Sequence, residues 1–175
     1  MAATDCWEGL PAWFPRRFFP VPMLGPYSLS DLRLVEPSTD EELAAYYDLR
    51  WRILRKPWDQ PRGSERDNLD ADAYKLMLKT PGDRAVAVGR LHFNSPEEAQ
   101  VRYMAVDPEW DRSGLGSRIL QGLEAEATKR GAQTMVLNSR DKAVGFYEKH
   151  GYALSGQAGA LFGGKVQHVR MSKIL

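Results

Sequence analysis

A single cysteine, Cys6, stands in the 175 residues, so no disulfide can close within the chain and a reducing compartment is expected. Metal-ligand spacing is missing too: three histidines and that cysteine are scattered, and no metal is expected. No apolar run approaches the roughly 20 residues that span a bilayer, and the N-terminus lacks a basic-then-apolar secretory pattern. Charge of one sign is absent: 24 basic against 23 acidic residues leave +1, which calls for neither a nucleic acid nor an anionic membrane as partner. A Gly-x-Ser-x-Gly elbow is lacking, which removes the usual Ser-His-Asp hydrolase. No Gly-Lys-Ser/Thr follows a glycine loop, which removes the P-loop. Repeats and low-complexity tracts are absent. A cytoplasmic protein of one folded domain is the resulting expectation; 43% hydrophobic residues suffice for an ordinary core.

The chemistry present is concentrated between Val101 and Lys129. Val101–Val106 reads as a strand, Asp107–Gly114 as a tight loop, and a helix is expected to open at Gly116. Leu115, Ile119, Leu123 and Ala127 recur every four residues, and Leu120 widens their stripe. Gly131 stands where a left-handed C-terminal residue is wanted. A helix N-terminus offers unpaired N–H groups and the positive end of a dipole. Gly114 and Gly116 allow close backbone approach, and Arg112 adds positive charge, as a phosphate cradle requires. A plain glycine-rich turn has the same pattern. Ile119 stands where the dinucleotide fingerprint needs its third glycine, so a Rossmann reading is poor.

Elsewhere the chain divides at about residue 30. Residues 1–30 hold five of the eleven prolines and six of the eighteen aromatic residues, without periodicity. So aromatic a segment is expected to be an ordered arm, lying on its own domain, on a second subunit or over the acceptor site. Leu29–Val35 is a candidate strand. Thr39 and Glu42 form a capping box for a helix with a buried stripe at Leu43, Tyr47, Trp51 and Leu54, ended by Pro57 near Arg55. Arg50, Arg52, Arg55, Lys56, Arg62 and Arg66 could receive an acceptor bearing a carboxylate or phosphate. More often, cations in a last helical turn simply complement the helix dipole and stay solvated. A meander follows: Tyr74–Lys79, Arg84–Phe93 and Gln100–Val106. Thr134–Asn138 is a further apolar strand.

Ala105-Val-Asp-Pro…Gly114-Leu-Gly and Ala143-Val-Gly-Phe-Tyr-Glu-Lys-His-Gly-Tyr152 together resemble the GCN5-related N-acetyltransferase (GNAT) superfamily. The resemblance covers Asp31–Leu175. Leu49–Arg55 and Val166–Lys173 look like its small bacterial ElaA/YjcF-like branch. It implies an α/β (α+β) fold: a mixed, largely antiparallel sheet of about six or seven strands, flanked by helices and splayed between strands four and five. A helix over Asp141–Lys149 and strands near Ala153–Gln157 and Val166–Lys173 would complete it.

The resemblance also implies acetyl-CoA as co-substrate, a small-molecule or peptide amine as acceptor, and dimers as a common assembly. The pyrophosphate falls on Arg112, Ser113, Gly114, Leu115, Gly116 and Ser117. Pantetheine and the thioester oxygen fall on Met104, Ala105 and Val106, opposite Asn138, with Phe146 nearby. Tyr147 takes the place of the tyrosine that protonates the departing thiolate. One departure stands out: Asp111 occupies the place where the family's loop has Gln or Arg, and a carboxylate there repels pyrophosphate unless it turns away. A phenol near pKa 10 is a weaker acid than a thiol near 8.5, so Tyr147 would deliver its proton only as charge builds. His92, His168, Glu109 and Glu148 leave the general base open. The competing reading is a non-catalytic acyl-CoA-binding or interaction module.

Overall fold

Thr39 accepts a hydrogen bond from the Glu42 N–H (3.2 Å), and the Glu42 carboxylate reaches back to the Thr39 N–H (3.5 Å). This capping box satisfies two orphan donors and starts α1 (Asp40–Leu54) where the sequence predicts it. The computed structural model describes residues 27–175; most of the aromatic arm, including Trp7, Trp13, Phe14, Phe18 and Phe19, lies outside them. After α1 come β2 (Tyr74–Lys79), β3 (Ala85–Phe93), β4 (Glu98–Val106), α2 (Leu115–Lys129), β5 (Thr134–Arg140), α3 (Val144–Glu148), β6 (Ala153–Leu161) and β7 (Val166–Ile174). A short β1 (Arg33–Val35) precedes it. The sheet order is β1-β2-β3-β4-β5-β7-β6, antiparallel throughout except for the parallel pair β4–β5. This is the mixed, largely antiparallel sheet that the family resemblance implies.

The helices occupy opposite faces. Tyr46, Tyr47 and Leu49 of α1 pack on Met77, Val88 and Ala105. On the other face Leu115, Ile119, Leu120, Leu123 and Ala127 of α2 join Leu76, Leu91, Val101 and Leu137, together with Tyr147. The predicted α2 stripe is buried in full.

Several local expectations need correction. The inward face of α1 carries Tyr46, Tyr47, Leu49 and Arg50; Leu43, Trp51 and Leu54 are only partly buried. Polar anchors turn it: the Tyr46 hydroxyl donates to the Gly89 carbonyl (2.9 Å), and the fully buried Arg50 donates to Asp70 (2.7 Å) and the Glu65 carbonyl. Hydropathy counts none of these bonds. Leu29–Asp31 is a 3-10 turn rather than strand, because the Asp31 carboxylate accepts from the Ser28 N–H (2.7 Å). Asp141–Ala143 is likewise a 3-10 turn, which leaves α3 five residues long. Helix α2 begins at Leu115, one residue earlier than expected, with Gly114 as its N-cap. Strand β6 runs on to Leu161.

Candidate active site

Strand β4 carries one residue more than β3 between two matched pairs, Val88–Ala105 and Arg90–Arg102. The surplus is absorbed at Tyr103, whose φ of 55° is unusual for a bulky side chain. What holds it there is electrostatic. The guanidinium carbons of Arg50, Arg90, Arg102 and Arg55 lie 4.0, 4.9, 5.1 and 5.3 Å from the Tyr103 ring centre, and its hydroxyl donates to Asp67 (3.0 Å). Asp67 in turn accepts from the buried Arg90 (2.5 Å).

Across the sheet, β4 and β5 pair only from Glu98–Val101 to Thr134–Leu137. Beyond Val101 and Leu137 the ladder ends and the strands part. A cleft of about 610 Å³ opens between them. This is the splay that the family resemblance implies, produced by a bulge on one strand and the end of pairing on the other.

Five of the candidate residues meet in that cleft: Met104, Ala105, Val106, Asn138 and Tyr147. The Tyr147 side chain is buried, edge-on to Phe146 (5.0 Å) and Tyr152 (5.8 Å). Its hydroxyl meets only the Met104 sulfur, at 3.8 Å, among the described residues. Thioether sulfur is a weak acceptor. Burial pushes the Tyr147 phenol up to about 12, against a smaller lowering by the charge of Arg140.

The other candidates form a second group at the start of α2. Arg112 has a φ of 58° and a side chain 94% exposed, while Ser113 donates to the Trp110 carbonyl (2.5 Å). Gly114 sits at φ 83°, a conformation that costs a glycine nothing, and has no side-chain cap over the following N–H groups. Leu115, Gly116 and Ser117 are therefore the first helical residues, with N–H groups that have no partner within the helix. The Leu115 side chain points into the core. Gly116 faces Phe146, whose ring would stand 3.4 Å from a Cβ there. Ser117 Oγ lies 2.9 Å from His150 Nε2, and His150 Nδ1 lies 2.8 Å from the Phe146 carbonyl. A carbonyl can only accept, so Nδ1 carries a proton, and His150 ties the loop to α3. Asp107 anchors the other end of the loop: it is buried, caps the next turn at Glu109 N–H (3.2 Å) and binds Arg84 (2.8 Å). The Asp111 carboxylate is 77% exposed, 3.9 Å from Arg112.

A split strand pair, a buried tyrosine and an uncapped helix start thus stand together. The model of the acetyltransferase (GNAT) family matches residues 43–152. The chain belongs to this family. Within GNAT, the uncharacterized N-acetyltransferase YjcF of Bacillus subtilis is 26% identical over 142 residues, covering 81% of this chain and 99% of YjcF. The crystal structure of a candidate N-acetyltransferase from Lactobacillus plantarum superposes with a TM-score of 0.72 at 22% identity, over 82% of this chain and 98% of that one. Escherichia coli ElaA superposes with a TM-score of 0.68 at 15% identity, over 81% and 97%. These two share the fold, and the likeness to YjcF supports the ElaA/YjcF-like branch.

The GNAT cleft also holds residues that motif reading did not single out: Arg102, Tyr103, Arg140 and Lys142 line it, as do His168, one of the open candidates for the base, and Arg55 from the basic run. No sequence signal marks Arg140, which ends an ordinary strand. His168 lies opposite Arg140 on β7. Its Nδ1 is 3.2 Å from the Val166 carbonyl, so Nδ1 carries the proton and Nε2 keeps a lone pair. Burial lowers its pKa, so it is neutral at pH 7; the Val166 hydrogen bond opposes this and Arg140 adds to it. His92 is further off on β3, where burial and the charge of Arg90 also keep it neutral. Of the basic run itself, Arg50 pairs with Asp70, Arg52 and Arg62 with Asp48, and Arg66 stacks on Tyr47 (3.9 Å), so neither wholesale reading of that run holds.

Proposed function

We propose that the protein transfers an acetyl group from acetyl-CoA to a primary amine by direct attack in a ternary complex. The observation that carries this reading is the Tyr147 hydroxyl, buried at the splay with only a thioether to bind. The donor fits the residues present. Free N–H groups of Leu115, Gly116 and Ser117 suit its pyrophosphate, and the parting of β4 from β5 leaves backbone groups of Met104–Val106 for pantetheine and the thioester oxygen.

In this scheme a backbone N–H of β4 polarises the thioester carbonyl, a preorganised contribution of roughly 3 kcal/mol. The neutral amine attacks the carbonyl carbon, its C–N bond forms, and the C–S bond breaks with the electron pair leaving on sulfur. Tyr147 exchanges its weak Met104 contact for the departing thiolate and gives it a proton, which solvent later restores. With a phenol near 12 the transfer is uphill, so the hydrogen bond to the thiolate precedes it. The lone pair of neutral His168, facing the same cleft, takes the proton that the amine sheds, directly or through water.

The alternative, a non-catalytic acyl-CoA-binding module, draws on Asp111, an acidic residue on the cleft wall beside the phosphate-binding loop. Acetyl-CoA-dependent release of free CoA that requires an added amine separates the two. Calorimetric binding of acetyl-CoA without release, across amines, amino acids and peptides, would replace the transferase reading with the module.

A further inference from the structure

The cations around the cleft have few carboxylates to answer them. Elsewhere on the molecule many basic side chains are matched, among them Arg84 with Asp107 and Glu109, Arg130 with Glu126, Arg170 with Glu98 and Lys173 with Glu124. Arg140 is half-buried in the cleft wall, and its guanidinium makes no hydrogen bond or ion pair with any described residue. Arg55, also half-buried, spends its donors on two main-chain carbonyls, Ser64 (2.8 Å) and Leu54 (3.2 Å). Arg102 lies 3.8 Å from Asp67, a carboxylate already held by Arg90 and Tyr103. Desolvated guanidinium groups without an anion are costly, and a cleft lined by one sign of charge concentrates ligands of the other.

Their position separates them from the phosphate-binding loop. Leu137 of β5 and Val169 of β7 pack into the α2 side of the sheet, so the alternating positions Arg140 and His168 face the α1 side. Arg55 ends α1, and Arg102 shares the Tyr103 ring with it. The free N–H groups of α2 lie across the sheet. An attacking amine enters from the α1 side if acetyl-CoA occupies the loop and the splay.

Resting on the acetyltransferase reading, we propose that Arg55, Arg102 and Arg140 form an oxyanion-binding subsite for the acceptor, which is a primary amine carrying a carboxylate or phosphate close to its nitrogen. Arg suits this task because its planar fork meets either group with two parallel hydrogen bonds. A polyamine or a lysine within a basic peptide would meet repulsion in the same place.

The test uses matched acceptors that differ only in the anion: β-alanine against β-alaninamide, and O-phosphoethanolamine against ethanolamine, with putrescine as a dication. CoA release gives kcat and KM, and calorimetry gives acetyl-CoA affinity separately. An anionic member should exceed its neutral partner in kcat/KM by at least about tenfold, and the better pair tells carboxylate from phosphate. Arg140→Gln and Arg55→Gln should erase that preference through KM with acetyl-CoA affinity unchanged, and Arg140→Lys should restore part of it. Preference for a neutral amine or putrescine would overturn the subsite while leaving the transferase standing. So would Arg140→Gln variants that lose acetyl-CoA affinity and keep the acceptor preference. If no amine is acetylated, the transferase reading fails. Calorimetry of β-alanine and O-phosphoethanolamine on the CoA-loaded protein then decides the subsite alone. Binding lost in Arg140→Gln upholds it, and no binding in the wild type overturns it.

Discussion

Tyr147 and Met104, 43 positions apart, meet hydroxyl to sulfur at 3.8 Å across the parted strands. A buried hydroxyl that settles for so weak an acceptor has a hydrogen bond in reserve. Tyr147→Phe should therefore lower kcat by about 10²–10⁴-fold while acetyl-CoA affinity stays within a few-fold. Because its phenol stands near 12, Tyr147 should add no alkaline limb to the wild-type pH–rate profile below about pH 11. Steady-state kinetics beside calorimetry would check both, and a fully active Phe variant would remove the general acid.

Asp111 lies on the cleft wall with its carboxylate mostly in water. Asp111→Asn should tighten acetyl-CoA binding by no more than about fivefold at low salt, with the gain vanishing near 0.5 M salt. Titrations at two ionic strengths measure this. A loss of affinity would mean that the carboxylate supports the loop.

Gly89 of β3 packs tightly under α2: a Cβ there would stand 2.6 Å from Ile119 Cγ2 and 2.9 Å from Leu123 Cδ1. Both neighbours are fully buried and have little room to retreat. Gly89→Ala should cost about 1–3 kcal/mol in urea unfolding. A change below about 0.5 kcal/mol would show that α2 shifts freely.

Asp67 feels opposing influences. Burial raises its pKa, but hydrogen bonds from Arg90 and Tyr103 and the charge of Arg90 outweigh it and hold the carboxyl at about 2. A depressed carboxylate contributes stability above its unfolded value near 4, and that contribution fades as pH falls through about 2. Asp67→Asn should be less stable than wild type by about 1–3 kcal/mol at pH 7. The gap should narrow between about pH 4 and pH 2. A constant gap across that window would assign the effect to packing.

The sequence by itself determined the elements whose causes are local. Thr39 and Glu42 start α1 because they stand three apart, the four-residue stripe of α2 is buried in full, and Gly114 and Gly131 adopt positive φ where the chain turns. The two motif segments also marked Tyr147 and the uncapped start of α2. Tertiary structure decided the rest. Which face of α1 turns inward depends on Gly89 and Asp70, 43 positions from Tyr46 and 20 from Arg50. The bulge rests on Tyr103, an ordinary strand residue until four guanidinium groups and Asp67 surround it. The cations of the cleft come from the end of α1, from β4 and from β5, and no window of sequence contains them together. Capping, periodicity and glycine conformation act between near neighbours and can be read along the chain. Charge and burial sum over everything nearby in space, and only the folded chain brings those groups together.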